Sequence, residues 1–514
     1  MKFSFSILWP GIEACRGLRF DQILSISDIQ NDLKGQNFTL SLDLPQTLVP
    51  QKEVHLPIQE ISDFRTKRII QNIPYLSNIQ AAVESIPASL QEGLSPEAIL
   101  NRLQNWPNLP LDSSAFSFSQ KSRPSSSSSM DRILELVAAP DTVGSFGSGL
   151  TAVEKTLSGH LEKVLSHIYA DPDFRRLESL LRSINFLFKL SGKKIEIQCD
   201  LLPVDVQSLE NSIDKALPTM IEHLPQLILL DLPLDSSSWH CKILEKVATL
   251  AENLLVPALC WISPKFLGID TWPAMDRLSY LPHHLDKDIY AKWRQFKTRT
   301  SSKWAAVTCN RFLLRSPLNG KSSQTGSALN IQESRPLWGS PVWAFGGLIL
   351  QSLGATGWPT HFANWRQIRL EGLDMTRNLQ GQMLPAETTF SEDRLEQFSK
   401  IGLSPLLGTL HQDILFTSLD TTFEGTPFSH QLFASRMSQE LIRWREDYQD
   451  PVESSAVKAY LKKHFDKAFA KYRPENLEIS MDKTSTGCRS RISITPSRIM
   501  LPMKQEFNME LDWS

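Results

Sequence analysis

Gly320, Lys321 and Ser322, in the string PLNGKS that begins at Pro317, are residue types suited to cradling a phosphate. A phosphate loop also needs a glycine five positions before Gly320, so that successive backbone amides can wrap the anion. Arg315 stands there instead. Asp231 and Asp235 lie near the end of an expected strand and could form a carboxylate pair for acid and base work. Aspartates so placed more often serve as solvated turn residues. No G-x-S-x-G elbow occurs, which removes the usual sign of a serine hydrolase. Cys15, Cys199, Cys241, Cys260, Cys309 and Cys488 form no C-x-x-C pair and no spacing of a disulfide scaffold. The 11 histidines form no H-E-x-x-H, and His160 and His167 share an expected helix without a ligand set around them. The expectation is a chain with no catalytic residue, no metal and no cofactor, and not an enzyme.

Groups of this kind would have to be held by an α/β layer, and one is expected in the middle of the chain. Strands at 194–199, 227–232 and 257–262 alternate with helices at 206–217 and 242–255, as in a layered α/β fold. Two long amphipathic helices precede them, spanning about 152–190. In DPDFRRLESLLRSINFLF, Phe174, Leu177, Leu181, Ile184 and Phe188 recur at spacings of three and four and form one apolar face. Arg175, Arg176, Glu178 and Arg182 are expected on the charged back of that helix. Val143 to Gly149, VGSFGSG, reads as a flexible joint, because no strand precedes its glycines as a dinucleotide fingerprint requires.

At 514 residues the chain is long enough for two to four domains of roughly 100–200 residues each, and 41% hydrophobic content supports real cores. Lys and Arg number 54 against 56 for Asp and Glu, so net charge encodes no attraction to nucleic acid or to an anionic membrane. The longest runs free of strongly polar residues, such as 341–350, are about half the roughly 20 that a membrane span requires. The N-terminus, MKFSFSILWPGIEACRG, lacks the form of a secretory signal. A soluble cytoplasmic protein is expected.

Between Ser113 and Ser129, ten of seventeen residues are serine, a composition that cannot bury enough apolar surface to order itself. This linker separates a piece at 1–112 from a short helix and joint at 130–150, a large α/β unit at 151–420 and a C-terminal region at 421–514. The first piece opens with Phe3, Phe5 and Ile7 alternating as in a half-buried strand, followed by strands at 38–44 and 54–58. A helix carrying Ile69, Ile70 and Ile73 begins near Ser62 and Asp63, and another takes Ser95 as its cap and Pro96 as its first residue. At the other end, a helix at 455–472 precedes three alternating segments. These carry Leu477, Ile479 and Met481; Ile492 and Ile494; and Phe507, Met509, Leu511 and Trp513. Alternating strands at both termini offer edges that must be covered or paired, which suits strand exchange between copies.

Several strings resemble the two contractile sheath subunits of bacterial type VI secretion systems. Phe174, Leu177, Glu178, Arg182 and Ile184 fit the large subunit's F-x-x-L-E-x-x-W-R-G-L, with Leu181 for its Trp and Ser183 for its Gly. Arg311, Phe312, Leu313, Leu314, Arg315, Pro317 and Gly320 resemble its R-F-L-L-R-x-P-Y-G, with Leu318 for Tyr and Asn319 inserted. Trp338, Gly339, Pro341, Ala344 and Phe345, then Gly357, Trp358 and Pro359, resemble its L-W-G-N-P-x-x-A-F and G-W-P in order. Gly402 to Leu406 echo its G-F-x-P-L. Asp63, Phe64, Pro74 and Leu76 resemble the small subunit's strand, Asp-Phe pair, helix and P-x-L. The chain resembles a fusion of a small, TssB/VipA-like and a large, TssC/VipB-like sheath subunit. The resemblance implies a sheath-subunit fold of α/β and α+β character, with mixed sheets flanked by helices and terminal strands exchanged between subunits. It implies a helical homo-polymer around an inner-tube protein, attached to a baseplate, without nucleic acid or membrane insertion. Met130 to Ala139, with Ile133, Leu134 and Val137 on one side, resembles the helix that a recycling AAA+ ATPase takes in that family. A non-contracting baseplate or adaptor piece, and an α/β nucleotide-dependent enzyme using 194–320, are the alternatives.

Overall fold

The computed structural model describes residues 1–20, 22–111, 142–192, 194–318, 329–378, 381–484 and 487–513. The linker 113–129, the segment with Ile133, Leu134 and Val137, and Asn319 to Ser322 lie outside the described residues.

The centre is a six-stranded mixed sheet. Its strands are β1 (Lys2–Pro10), β3 (Leu24–Ile26), β6 (Glu196–Val204), β7 (Leu227–Leu234), β8 (Ala258–Ile262) and β9 (Ala305–Thr308), in the order β3-β6-β1-β7-β8-β9. The five long-range strands are parallel and β3 is antiparallel at one edge. Runs such as LILLDLPL and ALCWI are nearly continuous in apolar residues because both faces of such a sheet are covered. Alternate residues serve opposite cores. Phe5, Ile7, Leu227, Leu229 and Leu259 join the helices Thr142–Ala170, Pro172–Ser191 and Pro341–Thr356. Leu8, Ile228, Leu230, Ala258 and Cys260 join the helices Leu209–Glu222 and Ser238–Leu254 on the other face.

The N-terminal strand corrects the expectation for Phe3, Phe5 and Ile7. β1 pairs with β6 from Lys2↔Glu196 to Pro10↔Val204 and with β7 from Phe5↔Leu227 to Leu8↔Leu230. It is therefore the middle of the sheet and has no free edge for exchange. The polar half of its alternation is serine, small enough for Ser6 to be buried at 2% exposure.

The rest of the first piece is built on that core. β2 (Cys15–Arg16), β4 (Phe38–Asp43) and β5 (Glu53–Ile58) form a second sheet, and the helices Thr66–Asn72, Pro74–Gln91 and Pro96–Gln104 pack beside it. Leu40, Leu56, Ile79 and Leu103 belong to the same cluster as Leu161, Leu177 and Phe345, so residues 1–111 share one core with the larger piece. The expected joint at 143–149 is instead the start of the 29-residue helix Thr142–Ala170. Each helical glycine costs about 1 kcal/mol, and a long helix with a buried face supplies enough propagation and packing to carry it.

Beyond β9 come the antiparallel pairs β10 (Phe312–Arg315) with β11 (Leu337–Gly339), β12 (Thr376–Arg377) with β13 (Met383–Leu384), and β14 (Leu407–Gly408) with β15 (Leu415–Phe416). A third core forms at the C-terminus, where the helices Phe428–Glu446 and Ser454–Ala468 cover one face of a meander of β16 (Asn476–Lys483), β17 (Cys488–Thr495) and β18 (Phe507–Trp513).

Candidate assembly surface and buried ionic network

Asp171 caps the Pro172–Ser191 helix by accepting from the Phe174 amide at 2.9 Å, and Pro172 fills the first helical position. Phe174, Leu177, Leu181 and Ile184 are buried as their spacing requires. Glu178 does not lie on a charged back. It is 0% exposed, because Arg315 of β10 reaches across to it, with Nε and Nη2 donating to its two carboxylate oxygens at 3.0 Å each. Arg182 Nε donates to the same carboxylate at 2.8 Å. Arg315 Nη1 also donates to Glu333 at 2.5 Å, and Arg175 pairs with Glu333 from the other side. The Arg315 guanidinium stands 5.6 Å from the centre of the Tyr169 ring, whose hydroxyl donates to the Phe64 carbonyl at 2.9 Å.

Three guanidinium groups and two carboxylates thus join the long helices, β10, the segment before β11 and the N-terminal piece. Burial pushes the Glu178 carboxyl up, and Arg315 and Arg182 outweigh it, leaving it below the ordinary carboxylate range. The bidentate geometry compensates desolvation that would otherwise expel such charges. A carboxylate locked between two arginines is a poor proton carrier, so the network is a clamp.

The motif residues surround this clamp. Phe312 is fully buried against Phe186, and a side chain at Gly339 would meet the Phe312 ring at 2.5 Å, which explains a glycine there. Trp338 is half-buried, with the Arg311 guanidinium 6.0 Å from its ring, and Arg311 Nη2 donates to Glu387 at 2.6 Å. Pro341 opens the Pro341–Thr356 helix, Phe345 packs on Phe362, and Gly357 closes the helix. Trp358 lies under Arg436 at 4.4 Å and joins the C-terminal core, while Pro359 starts a 3-10 turn. Pro317 is half-buried beside the clamp. These residues are packing and positioning groups. Glu333, Arg175, Glu387 and Arg436 were not singled out from the sequence as members of this arrangement, and no local spacing marks them.

Chemistry-bearing residues do not converge. Asp231 accepts from Trp343 Nε1 at 2.8 Å, whereas Asp235 bonds His240 at 2.5 Å at the cap of another helix. His160 takes the Leu48 carbonyl and the Tyr75 hydroxyl. All six cysteines are free and buried. Among the described residues no group of three His, Cys, Asp or Glu gathers as metal ligands do, and no helix is long and apolar enough to cross a membrane.

The terminal meander has unmet backbone valence at its two edges. β17 pairs on both sides, and β16 and β18 on one side each. Leu477, Ile479, Ile492, Ile494, Phe507, Met509, Leu511 and Trp513 face the third core. The opposite face is striped: Asp482 on β16, Arg489 and Arg491 on β17, Glu510 and Asp512 on β18, tied by contacts such as Arg489 to Asp512 at 2.6 Å and Arg491 to Glu510 at 3.0 Å. The Thr484 amide bonds the Gly487 carbonyl at 3.1 Å, which sets the phase of the ladder. Every second amide inward then points to the neighbouring strand. The amides of Leu477, Ile479, Met481 and Lys483, and those of Asn508, Glu510 and Asp512, point outward from the two edges.

Residues 225–422 match the family model VipB, described as "EvpB/VC_A0108, tail sheath N-terminal domain". The chain is 21% identical over 311 residues to the type VI secretion system sheath protein TssC1 of Pseudomonas aeruginosa, covering 53% of this chain and 60% of that protein's length. Among solved structures, a chain of the anti-feeding prophage baseplate aligns with a TM-score of 0.38 and 10% identity, over 65% of this chain and 80% of that one. The sheath tail protein of Desulfitobacterium hafniense aligns at 0.34 and 6%, over 61% and 62%. Residues 225–422 are thus similar to a tail sheath N-terminal domain, and the relative is a sheath protein.

Proposed function

We propose that this chain is a structural subunit of a contractile sheath in a type VI-like secretion or injection apparatus, combining small-subunit-like and large-subunit-like parts in one polypeptide. Copies polymerise as a helical tube around an inner tube, rise from a baseplate in the bacterial cytoplasm, and contract to drive the inner tube outward. An AAA+ ATPase recycles the contracted form through the segment with Ile133, Leu134 and Val137. A repeated heterologous contact generates such a filament without further instruction, and the work comes from repacking subunits.

The observation that carries this reading is the terminal meander, whose two edges each present a row of outward amides on a chain with a sheath-type domain. Proline at an outward amide removes a donor from the edge without breaking the subunit's own ladder. The double variant Lys483→Pro and Glu510→Pro does this on both edges, losing only exposed ion pairs worth little. Negative-stain microscopy of the unaltered chain is expected to show tubes, and the variant to stay folded by circular dichroism but form none. Absence of tubes from the unaltered chain, or normal tubes from the folded variant, overturns the proposal.

A further inference from the structure

In chain order the parallel strands lie second, first, third, fourth, fifth across the sheet: β6-β1-β7-β8-β9. The direction of winding therefore reverses between β1 and β7. Open α/β sheets bind ligands at that switch point, outside the carboxyl ends of the strands. Here β1 and β7 pair only as far as Leu8↔Leu230, and the β7 register to β8 shifts between Leu229 and Pro233. The two strands therefore part, and a cleft of about 440 Å³ opens between Trp9 and Pro10 on one side and Asp231 to Pro233 on the other.

Its lining carries three guanidinium groups, Arg175, Arg176 and Arg311, against one carboxylate, Asp231. Arg175 is consumed by Glu333 and by backbone carbonyls. Arg176 spends Nη2 on the Pro10 carbonyl at 2.8 Å and Nη1 on Asp173 at 3.4 Å, and Arg311 spends Nη2 on Glu387. Among the described residues, Arg176 Nε and Arg311 Nε and Nη1 have no protein acceptor. Each of these two arginines also lies beside an indole, Arg176 5.8 Å from the Trp9 ring and Arg311 6.0 Å from Trp338. Asp231 accepts from Trp343 Nε1, and burial pushes its carboxyl up.

We propose that the switch-point cleft binds a small molecule carrying a phosphate group, held by Arg176 and Arg311 with Trp338 as a wall. A volume in the usual ligand range and planar, partly free guanidinium forks suit that chemistry. Nothing in this inference depends on polymerisation, so it stands or falls apart from the sheath reading.

The test is titration of the full-length protein with inorganic phosphate and, separately, with metal-free ATP, followed by tryptophan fluorescence and calorimetry. Saturable binding by either is expected. Arg176→Gln and Arg311→Gln should each weaken binding by roughly tenfold or more, with the circular dichroism spectrum kept. Asp231→Asn, which keeps an acceptor for Trp343, should tighten it. The proposal is overturned if neither compound binds at millimolar concentration, if binding survives both arginine substitutions, or if Asp231→Asn weakens it.

Discussion

Glu178→Gln puts a neutral amide of the same shape where solvent does not reach. With three arginines and two glutamates the network sums to +1, and the variant raises it to +2. Arg315 then loses half of a bidentate carboxylate pair with both contacts at 3.0 Å, and one end of the new amide turns an N–H toward an arginine N–H. Removing one partner of a buried ion pair costs about 3–5 kcal/mol, and the retained carbonyl oxygen places glutamine near the lower end, about 3 kcal/mol. Equilibrium urea unfolding read by far-ultraviolet circular dichroism measures the loss. Glu178→Leu combined with Arg315→Met should recover most of it, because Glu333 keeps Arg175 and the Leu318 amide while Arg182 can turn to water. The pH dependence has a definite sign. Glu178 titrates below its ordinary value of 4.5 in the folded chain, so its contribution is present above 4.5 and is lost as pH falls through the folded value. The gap between the parent and Glu178→Gln should therefore narrow only in acid. A cost under about 1 kcal/mol at pH 7, or a gap that does not change in acid, would refute the clamp.

Gly402 has φ of +78° after the Glu392–Ile401 helix, and a Cβ there would meet the Phe423 carbonyl oxygen at 2.5 Å, so Gly402→Ala should lower the melting temperature by several degrees. Gly93, with φ of +80° and open space, should lose much less on the same change, and equal losses would sink the steric account. Ellman's reagent should find essentially no reactive thiol in the native chain and six after denaturation. All six are buried, and burial, aided by Asp173, pushes the Cys15 thiol up to about 12. Rapid labelling of any thiol in the native protein would contradict that packing.

The parts of the fold readable in the sequence are those whose signal is local. The period of Phe174, Leu177, Leu181 and Ile184 placed a helix correctly, and the apolar runs at 227–232 and 257–262 marked the buried strands Leu227–Leu234 and Ala258–Ile262. The helix Pro74–Gln91 was not among the expected elements; Pro74 opens it and Pro87 is carried within it. The clamp was unreadable for a different reason. Glu178 and Arg315 are 137 positions apart, and a lone glutamate among arginines has the pattern of a solvated face. β1 was misplaced because alternation with serine looks the same at an edge as in the middle of a sheet.

Lys2 pairs with Glu196 and Phe5 with Leu227, so during synthesis β1 has no partner for its backbone until residues 194 to 222 positions further on are made. At about 5–20 residues per second that interval is roughly ten to forty seconds. During it, Phe3, Phe5, Ile7, Leu8 and Trp9 form an apolar strand with both edges open, the kind of segment that aggregates or engages a chaperone. The strand in the middle of the sheet is made long before its neighbours, and the yield of soluble protein should depend on how residues 2–10 are sheltered while those neighbours are made.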